Sequence, residues 1–425
     1  MGTVPASCPV AEWFVPGETS AHSDPFQWYA RLREAGPVVF VPSGGGAYAD
    51  GMYVVTRYEE VAEVLRDPIT FSVAAGMGIS KRPPEEILAR ANSKDWDPRR
   101  ADISRLDPPD HTRLRKMLNP AFTPRRMAIW EDSIREVANM RIDEFIASKA
   151  ANLDADFASR IPNMAVGRII GAADEVADES FVRWLDSFLR LSVLARTEEE
   201  ELPDWEALLK MDRYLRSLIE ERRSQPADDL TTDMIQATTD DGAPALTDEE
   251  LVVNLFAFIG AGSGTTATMI VNTMYLLLTH PQQMAAVRAD KTLIPATIEE
   301  GLRLRSVARG LPRTATKDTE IAGVPIPKGA QVYVTLSSAN NDETRFDRSA
   351  DFDIHRDNPR DHFGFGKWTH FCIGAPLARL EGRIAVETLT ERLPSLRLAP
   401  DYENDFGYED NLVVAPIRAL RVEWD

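Results

Sequence analysis

Apolar residues recur at three- and four-residue spacing over most of this chain, and a run with that period buries an apolar face only as a helix. The pattern predicts helices over Asp24 to Ala35, Glu59 to Asp67, His111 to Pro120, Pro124 to Ala147, Asp178 to Ala195, Trp205 to Ser224, Thr247 to Thr279 and Ala296 to Arg305. Strand-like segments are short and few: Val38 to Val41, Met52 to Thr56, Thr319 to Ala322, Ala330 to Leu336 and the run from Leu412 to Trp424. The fold class that follows is mainly α with small β-sheets. Two stretches carry neither pattern, Ser72 to Leu106 and Asn340 to Cys372, and structureless segments of that length are usually functional.

With 425 residues, 44% of them hydrophobic, the chain can bury a large core. Pro and Gly are scattered and form no linker, so one domain is expected over residues 24–425, after an extension at 1–23. The net charge of −19, from 48 basic and 67 acidic residues, repels nucleic acid and anionic membranes and suits a neutral substrate or a cationic partner. Cys8 and Cys372 are the only cysteines, which excludes a disulfide framework and suits a reducing compartment. The N-terminus has no basic flank followed by an apolar core, and no stretch approaches the ~18 apolar residues of a bilayer span. A soluble, cytoplasmic, monomeric protein is expected.

Four segments carry candidate chemistry. HFGFGKWTHFCIGAPLARLEGRIAVETLTERL places Cys372 in a Gly-rich loop before a helix, where N–H groups at the helix start can lower a thiol pKa and favour metal ligation. The competing reading is a small buried hydrophobe. LDPPDHTRLRKMLNPAF puts His111 and Arg115 four residues apart on one helix face, able to grip a pair of carboxylates or simply solvated. The helix opened by Thr247 and Glu250 holds Gly260, Gly262 and Gly264 in its middle; each interior Gly costs about 1 kcal/mol relative to Ala, so either a bulky flat ligand or another helix must approach closely. Glu300 and Arg303 form an i,i+3 pair whose default is an exposed contact worth a few tenths of a kcal/mol.

In this order and spacing the four segments resemble the soluble bacterial branch of the cytochrome P450 family, from about Asp24 to Trp424. Phe365, Gly366, His370 and Gly374 match the family's cysteine-loop pattern around Cys372, and Arg313 to Phe346 looks like its sheet and the following segment. The resemblance implies a triangular α-rich domain with haem b, iron-protoporphyrin IX, between the long helix and the cysteine loop. Cys372 would be the iron ligand. His111, Arg115, Arg313 and His370 would pair with the haem propionates. Thr265, with Thr266 beside it, would be the distal hydroxyl that helps deliver protons, and Ala261 and Gly262 would lie against the haem, Gly262 leaving room for oxygen. Glu300 and Arg303 would be the buried structural pair, with Arg356 as third member. Ala261, Thr265, Val307, Arg309 and Leu311, with the Ser72 to Leu106 and Asp178 to Glu201 regions, would face substrate.

The implied activity is insertion of one oxygen atom from O2 into a small, largely apolar molecule. Electrons would come from a separate ferredoxin and ferredoxin reductase, or a flavoprotein. Two positions depart from the family: Gly264 stands where an acid usually precedes the distal threonine, and Trp368 where glycine is usual four residues before the cysteine. Gly264 admits a second reading, a peroxide-using or rearranging haem-thiolate enzyme. A third is a non-catalytic haem or ligand sensor.

Overall fold

The computed structural model describes residues 25–42, 51–74, 82–91, 96–97, 102–174, 180–191, 197–239, 242–400, 402, 417 and 419–425. The chain divides into two compact units, one of Met1–Gly78, Val271–Cys372 and Pro400–Leu420, the other of Ile79–Ile270, Ile373–Ala399 and Arg421–Asp425.

The first unit is built on a five-stranded sheet in the order Val38–Val41, Met52–Val55, Gln331–Val334, Leu311–Ala315 and Phe71–Ser72. All pairs are antiparallel except Met52–Val55 with Gln331–Val334, where Tyr53 pairs with Val332 and Val55 with Val334. Alternation along the strands gives each face its own core. Val55, Val332 and Val334 join Val61, Leu65, Phe71, Phe346 and Phe363, while Met52, Val54 and Tyr333 join Tyr29 and Leu32. Each such side chain contributes about 1.5–3 kcal/mol by leaving water.

The segment Asn340 to Cys372 has little regular structure, yet polar groups pin it. Asn340 accepts from the Phe363 N–H at 2.6 Å and donates to Ser306 Oγ at 2.7 Å. Asp342 accepts from the Tyr58 N–H at 2.8 Å, and the Tyr58 hydroxyl donates to the Asp361 carbonyl at 2.7 Å. The Gly364 N–H donates to His362 Nδ1, which leaves Nε2 to donate to the buried Glu299 carboxylate at 2.9 Å. Backbone groups without a ladder are thus satisfied by side chains, as burial requires.

The second unit is helical, with Glu85–Arg90, Asp110–Leu118, Pro124–Ala128, Glu131–Phe145, Arg160–Ile170, Phe181–Arg190, Glu198–Ser224, Leu230–Gln236 and Ala375–Arg392, plus a three-stranded sheet in the order Ala150–Asn152, Arg421–Glu423, Arg397–Leu398. The Asp248–Thr279 helix starts on a reciprocal cap: the Thr247 N–H donates to Glu250 and the Glu250 N–H to Thr247 Oγ.

Several expectations need correction. The helix expected over Pro124 to Ala147 breaks at Ile129 and Trp130, whose N–H groups bond three residues back; Glu131 and Asp132 then suit a fresh helix N-terminus. The helix expected from Trp205 begins at Glu198, on the reciprocal cap of Thr197 and Glu200. Ser72 to Leu106 contains the Glu85–Arg90 helix, and Leu336 opens a short helix to Asn340 where a strand end was expected. Ala322 is a turn residue: with Gly323 it takes positive φ, 49° and 76°, closing the hairpin of Thr319–Ile321 with Val324–Ile326. Most of the strand expected from Leu412 lies outside the described residues; Arg421–Glu423 is its described part. Asp248–Thr279 is long and apolar enough to cross a membrane by length and composition, contrary to expectation. Its apolar window is 67% buried, and a buried core helix meets the same test of length and composition.

Candidate haem-thiolate site

In the first unit the cysteine loop is shaped by two left-handed residues. Gly366 has φ 64° and its N–H donates to the Phe363 carbonyl at 2.7 Å; Cys372 N–H returns to the Phe365 carbonyl at 2.8 Å. A Cβ on Gly366 would stand 3.3 Å from the His370 carbonyl oxygen, so glycine serves both the turn and the close approach. Trp368, at φ 55°, takes the conformation a glycine would take without strain. The loop therefore brings Phe365, Gly366, His370 and Cys372 together, and Phe365 and Phe371 meet edge to face with centroids 6.4 Å apart. Cys372 is exposed, which removes the reading of a buried hydrophobe. Gly374, two residues on, caps the Ala375–Arg392 helix.

Arg313 lies on the Leu311–Ala315 strand, buried, with Nη1 donating to the Pro312 carbonyl at 2.8 Å. Val307 is buried, Arg309 and Leu311 half-buried, in the approach to that strand.

Glu300 and Arg303 are fully buried, so the exposed-pair reading fails. Arg303 Nε and Nη2 grip the two Glu300 carboxylate oxygens at 2.8 Å each, and Arg356 Nε adds contacts at 3.0 and 3.1 Å. The remaining donors of Arg303 bond the carbonyls of Asn340, Ser349 and Asp351. The triad thereby fixes the backbone leading to the cysteine loop. Removing one member of such a cluster leaves an uncompensated buried charge, at about 3–5 kcal/mol.

In the second unit, Asp110–Leu118 carries His111 and Arg115. Burial, followed by the Arg115 charge, pushes the His111 imidazole below its ordinary value, so it is neutral at pH 7. Arg115 Nε donates to Asn119 Oδ1 at 2.8 Å. On the long helix Leu255, Phe256 and Ile259 are buried, as are Ala267 to Ile270, but the stretch between is opened. Ala261 is exposed there, and Gly260, Gly262, Gly264 and Thr265 are half-buried. Thr265 Oγ donates to the Ala261 carbonyl at 2.5 Å. At Gly262 the helix-crossing reading holds. A Cβ at Gly260 meets nothing within 4 Å, whereas one at Gly262 would lie 2.9 Å from Val166 Cγ2, a close helix crossing.

One buried acid escaped the sequence reading. Glu381 falls on the buried stripe of Leu377, Ala378, Ile384, Ala385 and Thr388, a placement that helical periodicity makes legible.

The donor set decides what this chemistry can hold. Among the described residues no group of three or more His, Cys, Asp or Glu could hold a metal ion. An exposed thiol in such a loop fits a metal that brings its own equatorial ligands, as a porphyrin does.

Comparison with known proteins agrees. The family described as "Cytochrome P450" matches residues 47–394. Cytochrome P450 107B1 of Saccharopolyspora erythraea is 37% identical over 377 residues, 87% of this chain and 88% of that protein. Cytochrome P450 monooxygenase PikC of Streptomyces venezuelae is 34% identical over 422 residues, 99% of this chain and 95% of that one. The structure of cytochrome P450 CREJ in complex with (4-ethylphenyl) dihydrogen phosphate superimposes with a TM-score of 0.87 at 31% identity, covering 98% of this chain and 100% of that one. This chain belongs to the cytochrome P450 family, has its fold, and is an oxidoreductase with the haem-thiolate cofactor the family implies.

Proposed function

We propose that the protein is a monooxygenase that inserts one oxygen atom from O2 into a small, largely apolar organic substrate, using haem b and electrons from a separate ferredoxin and ferredoxin reductase. The observation that carries this is Cys372, an exposed thiol in a loop held by Gly366 and by the Phe365 carbonyl. Cytoplasmic location and a monomeric state are part of the proposal. So is a single functional domain over 24–425, supported by a chain that passes five times between the two units.

In this reading Cys372 is the axial ligand, and Arg115, Arg313, His111 and His370 hold the propionates. His111, neutral, can donate one hydrogen bond without competing with the Arg115 charge. When bound, the haem supplies the oxygen-activating redox chemistry, and the protein supplies ligand, orientation and a dry pocket. Thr265 keeps its hydroxyl within the opened stretch of the long helix, parked on the Ala261 carbonyl, from which rotation about χ1 frees it to hold a proton. Ala261, Val307, Arg309 and Leu311 are proposed to face the substrate.

The test is turnover of compounds that shift the ferric spin state, under isotopically labelled dioxygen. One labelled oxygen per product, only with ferredoxin, reductase and reduced nicotinamide, is the expected result. Product with peroxide alone would overturn it in favour of a peroxygenase, and absence of product under both regimes would favour a sensor.

A further inference from the structure

Two side chains hold the entry to the cysteine loop, and each is itself held from the helix Ile294–Leu304 or the residues just after it. Asn340 Oδ1 accepts from the Phe363 N–H at 2.6 Å, and its Nδ2 donates to Ser306 Oγ at 2.7 Å. One residue on, the Gly364 N–H donates to His362 Nδ1 at 2.9 Å, and His362 Nε2 donates to the Glu299 carboxylate at 2.9 Å. Both His362 and Glu299 are buried. Arg360, at the surface, lies 3.6 Å from the other Glu299 oxygen. Glu299 adjoins Glu300 in sequence, but the two serve different partners, since Glu300 takes Arg303 and Arg356.

Gly364 shows how closely the imidazole is applied to the backbone. A Cβ there would stand 3.0 Å from His362 Nδ1 and 3.2 Å from both His362 Cε1 and Leu302 Cβ. The chain thus passes through a slot between the imidazole and the helix, and a side chain at 364 would need one of them to move. Accepting the Gly364 N–H requires a bare Nδ1, and facing a carboxylate requires a proton on Nε2, so the two contacts together select one neutral tautomer. On either side of the Gly364 amide stand the residues whose carbonyls shape the loop. Phe363 accepts from the Gly366 N–H at 2.7 Å, and Phe365 accepts from the Cys372 N–H at 2.8 Å.

We propose that His362 is a positioning residue for Cys372: in the Nε2–H tautomer selected by Glu299, its Nδ1 holds the Gly364 amide and, through it, the Phe365 carbonyl that fixes the cysteine backbone. The proposal rests on the reading of Cys372 as axial ligand. No bond is made or broken; the imidazole keeps the sulfur's backbone in one arrangement, as the outer shell of a metal ligand does. Its two nitrogens have separable tasks. In His362→Asn, Oδ1 takes the place of Nδ1 and accepts from the N–H two residues on, the bond of an Asx turn, while the contact with Glu299 is lost. In His362→Gln, the amide nitrogen reaches Glu299 in place of Nε2, and the acceptor for the Gly364 N–H is lost.

The experiment uses the haem-loaded protein at matched haem content. In His362→Gln the ratio of thiolate-type to other ferrous carbon monoxide spectra should fall roughly tenfold, the change that one lost buried hydrogen bond makes in an equilibrium. His362→Asn should keep the wild-type ratio yet unfold at a lower temperature, because the buried Glu299 carboxylate loses the N–H of His362. Hydrogen exchange at the Gly364 amide should be slow in the wild type and in His362→Asn, and fast in His362→Gln. The wild-type exchange measurement decides the matter even if neither variant holds haem. Fast exchange at Gly364 in the wild type, equal spectral ratios in the two variants, or a loss confined to His362→Asn overturns the proposal. A wild type that binds haem but shows no thiolate-type spectrum would instead overturn the reading of Cys372 on which the proposal rests.

Discussion

The guanidinium carbon of Arg66 lies 4.6 Å from the centre of the Trp368 indole, stacked over a ring whose backbone is in the left-handed region at φ 55°. The contact offsets part of the strain at a position where glycine would have none. Trp368→Gly and Trp368→Ala both lose the ring, but only glycine also loses the strain. Trp368→Gly is therefore expected to be more stable than Trp368→Ala by about 1 kcal/mol. Denaturant midpoints of the two haem-loaded variants check this; equal midpoints would show that the backbone relaxes.

The Glu300 cluster predicts an asymmetry among its members. Glu300→Ala leaves Arg303 and Arg356 buried without a counter-charge and should cost about 3–5 kcal/mol. Arg356→Met leaves the two-pronged Arg303–Glu300 pair intact and should cost less. Haem retention during thermal unfolding reports both, since the same cluster holds the backbone ahead of Cys372. Equal losses would contradict the ranking.

Val166 and Gly262 are predicted to be coupled. Gly262→Ala gains about 1 kcal/mol of helix propensity but forces a Cβ against Val166, and overpacking costs about 1–3 kcal/mol. The substitution should be neutral or destabilising, and in a Val166→Ala background it should become stabilising. A double-mutant cycle measures the coupling; additivity within about 0.5 kcal/mol would contradict the close crossing.

Glu381 predicts a direction for stability against pH. Its folded value, about 8, lies above its ordinary value of 4.5, so the folded state binds the extra proton between them. The stability it contributes is fully present below pH 4.5 and is lost progressively as pH rises to about 8. Relative to the wild type, Glu381→Gln should therefore gain stability as pH rises through that window. A pH-independent difference in unfolding midpoint would mean that the carboxyl group is not protonated in the fold.

Legibility in the sequence follows range of interaction. Cys372 and its loop were readable because the chemistry sits within a dozen residues, and the Thr247 cap because it is local. The break at Ile129 was not, because it interrupts a hydrophobic period that runs on unchanged. Arg160–Ile170 escaped notice because it is buried on nearly every side and shows no polar face to set a period. The choice between ligand and helix crossing at Gly262 needed Val166, about a hundred residues away. Trp368 could be marked as a departure, but its partner Arg66 comes from a helix some three hundred residues earlier.

The central claim is that the Cys372 sulfur binds the haem iron, and the ferrous carbon monoxide spectrum tests it most directly. The wild type should show the red-shifted Soret band of a thiolate-bound haem, because the sulfur pushes electron density onto the iron. Cys372→His should retain haem and show an imidazole-type band instead, while Cys8→Ser should match the wild type. A thiolate-type spectrum that survives in Cys372→His would contradict the account.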